Sequence, residues 1–110
     1  MAVNGWGYWG KLTVRHGETI DIPISVAAGR RDFEVSLWWP ETVTQIHNDL
    51  DVHLINPTGG TSASARAAAS VFERTTATGP LAEGTWQIRI RGYRVPTDAQ
   101  VVYWAAAIHF

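Results

Sequence analysis

Residues 48–60 read NDLDVHLINPTGG, an alternating segment that ends at a turn containing Pro and Gly. Successive side chains of an extended strand point to opposite faces, so the apolar residues of this segment share one face. Asp49, Asp51 and His53 share the other face. The segment therefore predicts a half-buried β-strand with two acidic side chains side by side.

The same strand pattern continues along the chain, interrupted by turn residues at short intervals, and no window of 11 or more residues has a 3.6-residue period. We predict seven strands, at residues 10–15, 19–26, 32–39, 48–55, 71–78, 86–91 and 100–110. The pattern predicts an all-β fold, a two-sheet antiparallel β-sandwich of jelly-roll or Greek-key type with seven or eight strands. We assign residues 1–110 to a single β-sandwich domain.

Two local predictions accompany this fold. The strands at 10–15 and 19–26 are joined by a short turn at His16 and Gly17, and we predict that they form a hairpin. Residues 58–64 are predicted to be a loop, and the alanine-rich residues 63–69 favour a short helical turn because Ala is a strong helix former.

The composition limits the classes of function. The 110 residues carry a net charge of -1, which offers no electrostatic attraction to nucleic acid or to an anionic membrane. We find no apolar run of about 18 residues for a membrane span. The chain has no cysteine, which excludes disulfides and thiolate metal sites but does not decide the compartment.

The two acidic side chains predict a cation site, with a simpler alternative. The Cα atoms of Asp49 and Asp51 are expected roughly 6.5 to 7 Å apart, so their carboxylates either converge on a cation or repel one another. Calcium prefers 6 to 8 oxygen ligands of this kind. The alternative is a solvated acidic strand start, because Asp and Asn are common where a strand leaves a loop.

Five short motifs follow one another along nearly the whole chain. They are Gly17-Glu18-Thr19, Leu37-Trp38-Trp39, the segment from Asn48 to Gly59, Gly84-Thr85-Trp86, and Gly92-Tyr93-Arg94-Val95-Pro96. In this order and spacing they resemble the C-terminal β-sandwich domain that follows the catalytic domain in many subtilisin-like serine proteases, described as pre-peptidase C-terminal or P-domain-like. The related domain of proprotein convertases has similar strands.

The resemblance implies a non-catalytic accessory domain of a secreted protease, which stabilises the enzyme and helps to hold its substrate. The implied partners are the catalytic domain of the parent chain and a protein or polysaccharide substrate. Calcium is the implied cofactor, with Asp49 and Asp51 as ligands and with Asn48 and Glu41 as further candidates. Where the family often has Trp followed two residues later by Asp, this chain has Trp39-Pro40-Glu41, which changes the reach of that carboxylate.

Catalysis by the chain itself is not expected. Gly60-Thr61-Ser62 superficially resembles the surroundings of a subtilisin nucleophile, but such a Ser needs a His base and an orienting Asp in a far larger α/β domain. The four His residues show no zinc-ligand spacing either.

Five of the six Trp residues divide into two groups. Trp39 and Trp86 fall on inward faces and are expected in the core. Trp6, Trp9 and Trp38, together with Tyr8, are expected to form an exposed platform, which could contact a catalytic domain, hold a protein substrate or stack on sugar rings. A carbohydrate-binding module and a cell-surface adhesion or structural module are therefore the alternative functions.

Overall fold

The computed structural model describes residues 7–40, 48–66, 72–96 and 98–109, so predictions for Trp6, Glu41 and residues 67–71 lie outside the described residues. The described part of the chain forms eight strands and no helix. The strands are β1 (Gly7–Arg15), β2 (Thr19–Val26), β3 (Arg31–Trp38), β4 (Asp49–Ile55), β5 (Thr61–Arg66), β6 (Phe72–Pro80), β7 (Gly84–Arg94) and β8 (Ala99–His109). Consequently these residues include no helix long and apolar enough to span a membrane.

The strands pair into two four-stranded antiparallel sheets. Sheet A has the order β1-β8-β3-β6, and sheet B has the order β2-β7-β4-β5. Two sheets with this order form a jelly roll, in which the chain passes repeatedly from one sheet to the other. The predicted all-β sandwich is confirmed, and the jelly-roll form is selected over other Greek keys.

The predicted hairpin between the first two strands is wrong. β1 pairs with β8 in sheet A, whereas β2 pairs with β7 in sheet B. The Gly17 amide donates to the Gly92 carbonyl of β7 at 2.8 Å, so the chain has already reached sheet B within the turn. Alternating burial shows which face of a strand is inward. Two neighbouring strands of one sheet and two strands that face each other across the core have the same burial pattern, so the pattern does not predict which strands pair.

The loop and helical turn predicted around residues 61–66 are also wrong, because these residues form the edge strand β5. Ala63 pairs with Leu54 and Ala65 with Val52. The helix preference of Ala is worth only a fraction of a kcal/mol per residue, and backbone pairing with β4 overrides it.

The core lies between the inner faces of the sheets. Leu50, Val52 and Leu54 of β4 are fully buried there, and so are the predicted core residues Trp39 and Trp86. The indole nitrogen of Trp86 donates to the carbonyl oxygen of Ala82 at 2.8 Å, which satisfies its one polar atom. Strand alternation thus correctly predicted the inward face of β4 and two large core aromatics.

A close approach between the sheets occurs at Gly92. A Cβ atom at this position would lie 2.8 Å from Val14 Cγ1 and 2.9 Å from Val95 Cγ2, and it would overlap the carbonyl oxygen of Arg15. Backbone atoms cannot move aside as a flexible side chain can. The position therefore requires glycine because no other residue leaves room for the crossing from β1 to β2.

We expect Gly92→Ala to destabilise the domain by about 1 to 3 kcal/mol, the usual cost of overpacking. For a domain of this size the melting temperature should fall by roughly 4 to 8 °C for each kcal/mol. The matched control is Gly7→Ala, whose Cβ would make an ordinary contact of 3.6 Å with the Ala106 carbonyl oxygen. Equal melting temperatures for the two variants, measured by circular dichroism, would contradict the proposed constraint.

Candidate functional site

The outer face of sheet A carries a row of exposed aromatic side chains. In the strand register Tyr103 of β8 lies opposite Trp38 of β3, and Trp38 lies opposite Phe72 of β6. Their exposed fractions are 39%, 48% and 48%. We call these three residues the aromatic row. Its members are far apart in sequence, and only the strand order brings them together.

Two rings of the aromatic row contact each other. The ring centroids of Trp38 and Tyr103 are 5.2 Å apart, and their planes are inclined by 33°. This geometry is closer to offset stacking than to an edge-to-face pair. Part of each ring face is therefore covered by the other ring.

Further apolar side chains extend this surface. Trp9 of β1 is 66% exposed and lies opposite Ala105, diagonal to Tyr103 across the β1-β8 pair. Val101 of β8 is also exposed, two residues from Tyr103 on the same side of the strand. We call the aromatic row together with Trp9 and Val101 the aromatic face.

The sequence predicted two members of the aromatic face and missed the others. Trp9 and Trp38 are exposed, as expected, whereas Trp6 lies outside the described residues. The expectation for Tyr8 is wrong, because this side chain is half-buried and packs against the core. Tyr103 was missed because the last strand is apolar on both sides, and Phe72 was missed because it starts a strand with weak alternation. A period-2 count along β8 would have placed Tyr103 outward, but its neighbours depend on strand order.

The predicted metal ligands Asp49 and Asp51 lie on the outer side of β4, in sheet B. Asp51 is only 5% exposed, since β4 has β5 on one side and β7 on the other. Arg91 of β7 lies opposite Asp51 in the register. A solvated strand start, the simpler alternative, therefore does not describe Asp51.

One oxygen on this side fits a cation ligand. The Oδ1 atom of Asp49 is buried and has no hydrogen-bond partner among the residues that the structure describes. A buried carboxylate oxygen without a partner is unfavourable unless an ion or another donor reaches it. Within the same residues no three His, Cys, Asp or Glu side chains form a cluster suited to a metal ion. Asp49 thus offers one oxygen suited to a cation, and the further candidate Glu41 lies outside the described residues.

The third predicted ligand, Asn48, takes part in a link between the sheets. It is buried, and its side-chain nitrogen donates to Oε1 of Gln100 in β8 at 2.6 Å. The side-chain nitrogen of Gln100 in turn donates to the carbonyl oxygen of Pro40 at 2.9 Å. Asn48 therefore points between the sheets, whereas Asp49 and Asp51 lie on the outer side of sheet B. The structure does not bring these three side chains onto one face.

Comparison with known proteins identifies the fold but no family. No protein-family model and no curated protein matches the chain. Among solved structures, the chain is similar to the Yersinia pseudotuberculosis-derived mitogen, with a TM-score of 0.69, 12% identity, and 94% of this chain and 86% of that chain covered. It is also similar to Aeromonas hydrophila PliG, a periplasmic inhibitor of g-type lysozyme, with a TM-score of 0.57, 12% identity, and coverage of 99% and 91%.

A third similar structure is the Clostridium perfringens CspB protease, with a TM-score of 0.54 and 14% identity. The match covers 96% of this chain but only 26% of that protease. At such identities the three likenesses show a shared β-sandwich fold. They transfer no activity or partner.

We expect the Asn48 and Gln100 side chains to stabilise the fold as a pair. Asn48→Ala and Gln100→Ala should each lower the free energy of unfolding by about 1 to 3 kcal/mol, because each leaves a buried partner with one bond fewer. In a double-mutant cycle measured by urea unfolding, the double variant should lose less than the sum of the single losses, by about 0.5 kcal/mol or more.

The control for this cycle is Gln87→Ala, which removes a half-buried side chain of the same type from β7. It should change stability by no more than about 0.5 kcal/mol. Strictly additive losses for Asn48 and Gln100 would show that the two side chains do not act together.

Proposed function

We propose that this chain is a non-catalytic accessory domain of a secreted subtilisin-like serine protease, and that its aromatic face contacts the catalytic domain of the parent chain. The aromatic face carries this proposal. A group of exposed aromatic side chains on one face of a sheet marks an interaction site when the apolar surface that it forms is large. Trp, Tyr and Phe are also the side chains enriched in the buried centres of protein interfaces.

The contacts between the sequence motifs support the proposed family. The Gly17-Glu18 turn exchanges backbone hydrogen bonds with Gly92 at 2.8 and 2.9 Å, which joins the first motif to the last. Asn48, which opens the central motif, donates to Gln100 just beyond the last one. Residues that contact one another are expected to be kept together in a family, whereas chance matches need not meet. The likeness to part of a protease chain supports the proposal at the level of the fold.

Ring geometry favours a protein partner over a polysaccharide for this face. A sugar ring stacks on the open face of an aromatic ring, but Trp38 and Tyr103 partly cover each other at 5.2 Å. Trp9, at 66% exposure, offers a more open ring. The carbohydrate-binding alternative therefore depends mainly on Trp9, whereas a protein surface can pack against the edges of the whole row.

The contacts of Ser62 support a non-catalytic role. Its hydroxyl oxygen, at the start of β5, accepts a hydrogen bond at 3.1 Å from the side-chain nitrogen of Asn56 in the connection between β4 and β5. A serine nucleophile instead donates its proton to a base, most often an imidazole. Ser62 stabilises a surface loop in this arrangement.

Calcium bound through Asp49 and Asp51 belongs to the same proposal. The ion would supply a positive charge between two neighbouring carboxylates, one of which has a buried oxygen without a partner among the described residues. Its role would be to stabilise the folded domain, which has no disulfide.

We expect the melting temperature to rise on adding calcium relative to a chelator, because an ion at 100 times its dissociation constant stabilises the folded state by about 2.7 kcal/mol. Asp49→Asn and Asp51→Asn should each reduce this rise. Asp98→Asn, which alters a carboxylate that is 86% exposed, should leave it unchanged. Identical melting temperatures in calcium and chelator would refute the calcium site.

The protease assignment is tested first by the parent reading frame, which should encode a subtilisin-type catalytic domain. We expect that domain, expressed separately, to bind the 110-residue domain, and Trp38→Ala to weaken binding about 30-fold, as for an interface side chain worth 2 kcal/mol. Isothermal calorimetry measures both affinities.

Tyr93→Ala is the control, since it removes an exposed aromatic side chain from sheet B. An equal loss of affinity for the catalytic domain in Trp38→Ala and Tyr93→Ala would exclude a specific role for the aromatic face. Binding to insoluble cellulose or chitin that Trp9→Ala abolishes, without affinity for the catalytic domain, would instead favour the carbohydrate-binding module. Binding to a protein partner in a parent chain without a protease domain would favour the adhesion module.

A further inference from the structure

A polar cavity of about 350 Å³ opens on the outer face of sheet B, away from the aromatic face. Two guanidinium groups, those of Arg89 and Arg91 in β7, are part of its lining. His53 of β4, Thr19 of β2 and Thr61 of β5 contribute an imidazole and two hydroxyls. Each of the four strands of sheet B therefore contributes at least one side chain to the lining of this cavity.

The side chains that line the cavity are mainly hydrogen-bond donors. Guanidinium groups only donate hydrogen bonds, and the hydroxyls and imidazole can donate as well. No acidic side chain among the described residues lines the cavity. Asp51 lies opposite Arg91 in the register, but it is buried and outside the lining. The cavity thus presents donors and positive charge to whatever enters it.

Arg89 is held in place by an acid beside the cavity. Its Nε and Nη2 atoms donate to the two carboxylate oxygens of Asp21 at 2.8 and 2.9 Å. Hydrogen bonding by Arg89 lowers the pKa of Asp21 below its usual value, more than partial burial raises it. Asp21 is therefore ionised at neutral pH and fixes the Arg89 side chain, while further N–H groups of that guanidinium remain for a ligand.

Arg91 is oriented without a carboxylate. Its guanidinium carbon lies 5.5 Å from the centroid of the Tyr93 ring, within the range of a cation–π contact. Apart from this contact, it forms no hydrogen bond or ion pair with the residues that the structure describes. Arg89 and Arg91 are two residues apart on one strand face, so their Cα atoms lie roughly 6.5 to 7 Å apart. One oxyanion can accept hydrogen bonds from both.

We propose that this cavity binds an oxyanion group, either a carboxylate or a sulfate or phosphate group, carried by an acidic ligand. Arginine can bind either a planar carboxylate or a tetrahedral sulfate or phosphate, because its guanidinium group donates two parallel hydrogen bonds. Arg89 is pre-oriented by Asp21 and Arg91 by Tyr93, so little side-chain entropy is lost on binding. This site is independent of the aromatic face and of any protease partner.

The test is a titration of the ¹⁵N-labelled domain with sodium acetate, sodium sulfate and sodium phosphate at constant ionic strength, followed by NMR. We expect saturable shifts of the amide signals of Thr19, His53 and Thr61 and of the Arg side-chain signals. Preference for acetate would identify a planar carboxylate as the ligand group, and preference for sulfate or phosphate a tetrahedral one. Sodium chloride serves as the reference salt.

Variants locate the site. Arg91→Ala should weaken binding tenfold or more, and Arg91→Lys should retain part of the affinity. Arg74→Ala, in sheet A, removes a guanidinium that pairs with Glu34 at 3.4 Å and should leave binding unchanged.

Spectra with native dispersion establish that each variant is folded. Linear, unsaturable shifts with every anion, shifts equal to those in chloride, or wild-type affinity in folded Arg91→Ala would overturn the proposal. An equal loss in Arg91→Ala and Arg74→Ala would show nonspecific charge effects and would overturn it as well.

Discussion

The close approach of Gly92 to the end of β1 is the constraint on which the rest of the fold depends. At this point the chain leaves sheet A and enters sheet B, and the turn bonds directly to β7. Because a Cβ atom at Gly92 would overlap the Arg15 carbonyl oxygen, only glycine lets the two sheets converge here. Asn48 and Gln100 add a second link, between β4's entry and β8. Once the sheets are joined in this way, burying two apolar inner faces follows from the hydrophobic effect.

Strand alternation correctly predicted which side chains point into the core, but it did not predict which strands pair with each other. It placed Trp39 inward and Trp38 outward, since neighbours on a strand point to opposite sides. It could not distinguish a hairpin from strands that face each other across the core, because both bury the same alternate residues. Tyr103 and Phe72 join Trp38 only through the order β8-β3-β6, which depends on contacts between residues distant in sequence. The candidate site was therefore predictable one strand at a time, but not as a surface.

The acidic segment shows the same limit. Its alternation correctly put Asp49 and Asp51 on one side of β4, yet the sequence did not show that β5 and β7 would flank that side and bury Asp51. Nor did it show that Asn48, one residue earlier, would point between the sheets and bond to Gln100. A carboxylate in such a place needs a compensating positive charge. Asp51 has an interaction of its own in the fold, and Arg91 lies opposite it in the register.

If Arg91 neutralised Asp51, the guanidinium would be drawn toward β4 and away from an incoming oxyanion. Arg91 instead lies beside the Tyr93 ring, and Asp51 is outside the cavity lining. The proposed calcium site and the proposed oxyanion site therefore make no conflicting demand on Arg91. The two outer faces consequently differ in kind: sheet A exposes apolar rings, and sheet B exposes guanidinium groups beside a polar cavity. Since the inner faces only need to be apolar and complementary, proteins with 12% identity can share this sandwich while their outer faces differ entirely.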